Sequence, residues 1–210
     1  MKLSDTGTLS PDDVAARIGK LTASRMADAM DFLKSGKPSK ARQDYMRDLV
    51  AERLTDIVVP HHVTSYMLHG IEQEPHAKAL YTQVTGRQIR SAPFLDHPVI
   101  DMCGATPDGF VEADGLIEIK CPSTGKFLDW IMAGTVPDEH KPQMLLQLSV
   151  TRKAWVDFVA YDPRMPVGKQ MFIRRFTPPQ NKIAEIENAA IEFLLEVEEL
   201  FERVTQAEMV

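Results

Sequence analysis

Only two cysteines, Cys103 and Cys121, occur in the 210 residues, and neither sits in a Cys-x-x-Cys pair. Two sulfurs are too few for a disulfide framework, so both are expected as free thiols in a reducing compartment, the cytoplasm. The six histidines, His61, His62, His69, His76, His97 and His140, show no zinc-like spacing, and core or solvent roles are expected of them. No run of about 18 apolar residues exists, which leaves no candidate membrane span. The N-terminal MKLSDTGTLSPDDVAARIG lacks an apolar segment of signal-peptide length, so a soluble protein is expected. Internal repeats and low-complexity tracts are lacking as well.

What remains is ordinary globular composition, 44% hydrophobic and 26% charged. A chain of this length buries roughly 70% of its unfolded surface, enough for a core without staples, and one domain over residues 1–210 is expected. The net charge of −6 would argue against a nucleic-acid partner if it were spread evenly, but it is not. Residues 181–210 hold eight glutamates against Lys182 and Arg203 and account for the whole excess, leaving 22 basic and 22 acidic residues before them. Within that neutral body, Arg17, Lys20, Arg25, Lys34, Lys37, Lys40 and Arg42 face only Asp28 and Asp31. The cluster reads equally well as a phosphate-facing patch or as a solvated helix face with a lysine-rich loop.

Hydrophobic spacing supplies the elements. Thr22–Met30 reads as a short helix with Thr22 or Ser24 near its N-cap, and residues 34–40 as a loop. Tyr45, Met46, Leu49, Val50, Leu54 and Ile57 stripe a helix over 40–57. A second helix runs from about 70 to 84, ending before Gly86, with Pro75 tolerable only in its first turn or at a kink. From Arg87 to Lys120 the pattern is extended, with a tight turn at Ala113-Asp114-Gly115. Helices at about 124–134 and 138–151, strands at 155–161 and 170–176, and an amphipathic helix over about 179–208 complete the chain. Strands flanked by helices make an α/β or α+β domain.

The chemistry concentrates in Thr106-Pro-Asp-Gly-Phe-Val-Glu-Ala-Asp-Gly-Leu-Ile-Glu-Ile-Lys. A turn centred near Asp114 puts Asp108 and Gly109 roughly opposite Ile119 and Glu118. Side chains alternate along a strand, so Glu118 and Lys120 share a face, and Asp108 at the mouth of the facing strand reaches the same spot. Two carboxylates this close, buried without a cation, repel until one takes up a proton. A hard divalent ion resolves the conflict, and oxygen-only ligands suit Mg²⁺ or Mn²⁺. Such an ion acidifies a water and neutralises charge on a phosphate under attack, with Lys120 positioning or deprotonating the water or steadying the charged oxygens. A surface hairpin carrying ordinary exposed charges fits the spacing equally well.

Pro107-Asp108 followed by Glu118-Ile119-Lys120 resembles the signature of the PD-(D/E)xK nucleases, and the surrounding words resemble the phage lambda exonuclease-like, YqaJ-type viral recombinase family. The likeness runs from Arg17-Ile-Gly-Lys-Leu-Thr-Ala-Ser through Gly70-Ile-Glu-Gln-Glu, Thr106-Pro-Asp-Gly, Glu118-Ile-Lys-Cys-Pro, Gln143 and Val150-Thr-Arg-Lys to Tyr161-Asp-Pro-Arg-Met. It implies a restriction-endonuclease-like core, a central mixed β-sheet flanked by helices, with a DNA-end-binding region over about 11–57.

By that resemblance Asp108, Glu118 and Glu74 are metal-binding carboxylates, the Ile119 carbonyl is a further ligand, and Lys120 is the catalytic lysine. Glu72 lies about 200° away from Glu74 around a helix and is not expected to share its face. Gln143 matches a glutamine expected to bond the nucleophilic water or the scissile phosphate, with Gln147 one turn on as a competitor. Arg17, Ser24 and Thr106 match residues that hold a terminal 5′-phosphate, Thr106 standing where a serine is usual and keeping its hydroxyl. The implied protein is a Mg²⁺-dependent 5′-to-3′ exonuclease of linear double-stranded DNA, with Mn²⁺ as substitute. It would be a homotrimeric ring that works with a single-strand annealing protein in phage-type recombination, in a bacterial host's cytoplasm. A PD-(D/E)xK endonuclease of restriction or repair type and a non-catalytic DNA-end-binding adaptor are the alternatives.

Overall fold

The computed structural model describes residues 11–60 and 64–208; His61, His62 and the first ten residues of the stretch read for a leader lie outside the described residues. Helix α1 (Pro11–Arg17) begins on a proline and carries Asp12 and Asp13 in its first turn, where a missing N–H and negative charge are both well placed. Strand β1 (Leu21–Thr22), a 3₁₀ turn at Ala23–Arg25 and the single-turn α2 (Met26–Ala29) follow. Helix α3 (Lys40–Thr55) is capped by Ser39, whose hydroxyl accepts from the Arg42 N–H at 3.1 Å, and α4 (Ser65–Thr85) by Thr64, which accepts from Met67 N–H at 3.2 Å.

Short strands β2 (Ile89–Arg90), β3 (Leu95–Asp96), β4 (Cys103–Ala105) and β5 (Gly109–Val111) lead to β6 (Gly115–Lys120). Helices α5 (Thr124–Ala133) and α6 (Lys141–Thr151) connect β6 to β7 (Trp155–Tyr161), and β8 (Met171–Phe176) and α7 (Gln180–Thr205) end the chain. The main sheet has the order β2-β5-β6-β7-β8, antiparallel except for the β6–β7 pair. A parallel pair needs a long crossover, and α5 with α6 supplies it. A second sheet, β1-β4-β3, holds the N-terminal segment against the body.

Strand β6 is buried on both faces. Leu116 packs with Phe127, Trp130, Met144, Leu148 and Phe158 on the α5/α6 side. Ile117 and Ile119 pack with Ala77 and Tyr81 on the α4 side. By alternation Glu118 and Lys120 point with Leu116 toward α6. The apolar stripe of α7, including Ile186, Phe193 and Val197, closes a third cluster with Leu21, Met26, Tyr45, Leu49 and Leu146.

Four sequence expectations need correction. Thr22–Met30 is not one α-helix: Thr22 pairs with Gly104 in the β1–β4 ladder and donates its N–H to Tyr45 Oη at 3.0 Å, which holds it extended at the N-cap position, and a 3₁₀ turn at Ala23–Arg25 precedes the α-helix at Met26. Helix α4 begins at Ser65, not near residue 70, so Pro75 lies in its interior, where the ring removes the N–H that would bond the Ile71 carbonyl. In the hairpin, Gly109 faces Ile117 and Val111 faces Gly115, one residue away from the expected register. The cause is a three-residue loop, Glu112–Asp114, with Glu112 in the left-handed region at φ 55°.

The fourth is the basic cluster, which is largely neutralised within the chain. Arg42 is buried, paired to Glu196 at 2.8 Å and stacked between Phe32 and Phe193. Lys20 pairs with Asp96, Arg25 with Asp28 and Lys40 with Asp44. The glutamates of α7 are accordingly not all turned outward, since Glu196 and Glu198 hold Arg42 and Arg53.

Candidate active site

The end of β6 opens into a cleft of about 680 Å³ between α4 and the α5/α6 layer. Arg17, Ser24, Glu74, Thr106, Asp108, Glu118, Ile119, Lys120 and Gln143, all singled out by sequence, line it together. Glu72 does not, as its place on the helix requires. The cleft lies at the C-terminal end of a parallel strand pair, where layers diverge and polar groups can converge.

Glu118 is 1% exposed, and its two oxygens have different partners. Oε1 pairs with Lys120 Nζ at 2.6 Å, and Oε2 accepts from Gln147 Nε2 at 2.7 Å. Lys120 Nζ also donates to Gln143 Oε1 at 3.1 Å. The two glutamines that competed in the sequence therefore have separate tasks: Gln143 touches the lysine and the cleft, Gln147 the glutamate from behind. Burial pulls the Lys120 ammonium down most strongly, but Glu118 and Asp108 outweigh it and hold its pKa above the usual value.

Asp108 Oδ2 accepts from the Ile119 N–H at 2.6 Å. Burial, then Glu118, then Glu74 push the Asp108 carboxyl well above the ordinary carboxylate range. Glu74 leans on Lys78, one helical turn away, at 2.6 Å. Among the described residues no three His, Cys, Asp or Glu side chains are gathered as a finished ligand set. The donor chemistry nonetheless fits a hard divalent cation. All the candidate ligands are oxygens, and Asp108 stands beside Glu118 and Glu74, whose negative charge pushes its carboxyl upward and would be offset by a cation.

Arg17, Ser24 and Thr106 line the same cleft, and Thr106 Oγ1 is buried without a hydrogen-bond partner. The remaining wall was not singled out from sequence: Tyr66 and Met67 from α4, Lys126 and Trp130 from α5, and His140. The signal for α5 was topological, because its first turn follows closely on Lys120. Burial, more than Lys120, pulls the His140 pKa down to about 4, and its ring stacks on Phe158 and meets Trp130 edge-on. His97 is a core histidine, its Nδ1 accepting the N–H groups of Val99 and Ile100. Both thiols are free; Cys103 is in the core away from the cleft, whereas Cys121 lines it.

A mixed sheet whose central hairpin carries Asp108, Glu118 and Lys120 at one strand end, flanked by helices, is the PD-(D/E)xK nuclease core. Residues 14–154 match the YqaJ-like viral recombinase domain, and the chain belongs to that family. It is similar to the crystal structure of an alkaline exonuclease, LHK-Exo from Laribacter hongkongensis, with 40% identity over 94% of this chain and 97% of that one and a TM-score of 0.85. The complex of LHK-Exo with dAMP matches at the same identity and coverage, with a TM-score of 0.87. A phage-related exonuclease from Haemophilus somnus 129PT, 15% identical over 88% of this chain and 96% of that one, shares the fold at a TM-score of 0.61. No curated protein sequence matches. Among the described residues no helix is long and apolar enough to cross a membrane.

Proposed function

We propose that the protein is a Mg²⁺-dependent exonuclease, with Mn²⁺ as substitute, that digests one strand of linear double-stranded DNA from the 5′ end. It releases mononucleotides and leaves 3′ single-stranded overhangs for recombination by strand annealing in a bacterial host's cytoplasm. The observation that carries this reading is one cleft lined by Asp108, Glu118, Lys120, Gln143 and Glu74 together with Arg17, Ser24 and Thr106. The likeness to LHK-Exo, an alkaline exonuclease crystallised with dAMP, supports a nucleotide product.

Asp108, Glu118, Glu74 and the Ile119 carbonyl would hold the cation, which supplies charge neutralisation for the attacked phosphate and a more acidic water. Lys120, kept cationic by its carboxylate neighbours, donates to a phosphate oxygen or orients the water; in that state it is a donor rather than a base. Gln143, already bonded to Lys120, is placed to hold the same water or phosphate. Arg17 and the hydroxyls of Ser24 and Thr106 grip the terminal phosphate, and the unpartnered Thr106 Oγ1 suits an anionic acceptor. After each cut, the new 5′-phosphate can be drawn into that pocket. A homotrimeric ring around DNA and a single-strand annealing protein as partner belong to the same proposal, the ring keeping the duplex threaded between cuts.

Incubating linear duplex labelled separately at each end, with and without Mg²⁺ and with 5′-phosphate or 5′-hydroxyl, tests the reading. Mononucleotides released from the 5′ label only, in Mg²⁺ only and faster from phosphorylated ends, are expected. Rapid cutting of a covalently closed plasmid would overturn it in favour of an endonuclease.

A further inference from the structure

We infer that Gln147 is a positioning residue whose amide fixes the Glu118 carboxylate in the orientation that receives a divalent cation; this rests on the proposed reading of Glu118 as a cation ligand. Gln147 is 0% exposed and does not line the cleft, so it acts through the glutamate. Its Nε2 donates to Glu118 Oε2 at 2.7 Å, while its own Oε1 is buried with no hydrogen-bond partner. A buried acceptor without a donor destabilises the fold, and a leucine or methionine would fill the same space without that cost. Packing therefore does not explain the amide.

The group it serves does. Glu118 stands between Gln147 and Lys120, and Lys120 stands between Glu118 and Gln143. Both amides come from successive turns of α6, and both charged side chains from alternate residues of β6, so the four form a chain from the core to the cleft. The last torsion of a glutamate is broad, and here two contacts set it: Lys120 on Oε1 and Gln147 on Oε2. With Oε2 tied to the core, Oε1 is the oxygen turned toward Lys120 and the cleft.

Mn²⁺ titration of the DNA-free protein, followed by the electron paramagnetic resonance signal of the free ion, tests this on wild type, Gln147→Met and Gln147→Asn. Methionine keeps the volume without the donor; asparagine keeps the amide but is one methylene too short. The affinity should fall about 10- to 100-fold in both variants. Circular dichroism and duplex-end binding in chelator should match wild type. A folded variant that binds Mn²⁺ within about fivefold of wild type overturns the role of Gln147 and leaves the ligand reading standing. A wild type that takes up no Mn²⁺ at millimolar concentration overturns the ligand reading itself. If Gln147→Met does not fold, Gln147→Asn decides; if neither folds, Gln147 is a core residue and the inference fails.

Discussion

The carboxylate of Asp108 accepts a hydrogen bond from the backbone N–H of Ile119 at 2.6 Å. In an extended strand the N–H and C=O of one residue leave by the same edge, so the Ile119 carbonyl also faces the Asp108 side, beyond the last pair of the hairpin, Gly109 with Ile117. A single contact thus sets the Asp108 carboxylate on the edge of β6 that the Ile119 carbonyl also faces.

Asp108→Asn keeps the shape and removes the charge. Turnover on linear duplex should fall about a thousandfold or more, as should that of Lys120→Ala, with duplex-end binding retained. Because the Asp108 carboxylate faces Glu118 and Glu74, Mn²⁺ should raise the melting temperature of the wild type and not that of Asp108→Asn. Mg²⁺-dependent cleavage surviving in either variant would remove these residues from the mechanism.

Arg17 shares the cleft with Ser24 and Thr106. Replacing it with alanine should lower the preference for 5′-phosphate over 5′-hydroxyl ends by about tenfold or more, the range of a charge-assisted hydrogen bond. Competition between the two ends in one reaction measures it directly. An unchanged ratio would place phosphate recognition elsewhere.

His140 gives the fold a defined response to acid. Its imidazole is pulled from 6.5 to about 4 by burial against Trp130 and Phe158. Between those values the unfolded chain takes a proton that the folded one refuses, so stability present above pH 6.5 is lost as pH falls toward 4. The loss attributable to this one group approaches ~3 kcal/mol. Urea unfolding at pH 7, 5.5 and 4.5 should show a shallower decline for His140→Phe than for wild type, and parallel curves would exonerate the histidine.

The Arg42–Glu196 pair ties α3 to α7, with Arg42 2% exposed and two of its nitrogens, Nε and Nη1, without partners. Glu196→Ala leaves that buried charge uncompensated and should cost ~2 kcal/mol in chemical denaturation. Arg42→Met, which removes the charge and keeps the stem, should cost less. The opposite ranking would show that the guanidinium's stacking on Phe32 and Phe193 outweighs its charge.

Helix α3, α5, the hairpin turn and the α7 stripe were legible because each is set by local spacing: apolar residues at helical intervals and a Gly-containing turn. The catalytic-type triplet was legible for the same reason, since Glu118 and Lys120 must share a strand face. The one-residue register error came from the loop, where the left-handed Glu112 is a conformation that composition does not announce. The start of α4 was missed because its cap, Thr64, lies well before Pro75, and a proline near a helix start reads as belonging to the first turn.

By itself the sequence determined which side chains carry charge, which alternate to one face, and which words match a nuclease family. Only tertiary structure decided how those charges are spent. Arg42, in the basic cluster at 17–42, is neutralised by Glu196 because α7, 154 residues later in the chain, folds back on α3, while Lys20 is taken by Asp96 and Arg25 and Lys40 by near neighbours. Gln143 and Gln147 were divided between Lys120 and Glu118 because α6 crosses the end of β6 at one height and not another. Contacts between residues distant in the chain depend on how packed layers meet, and local spacing holds no record of that distance.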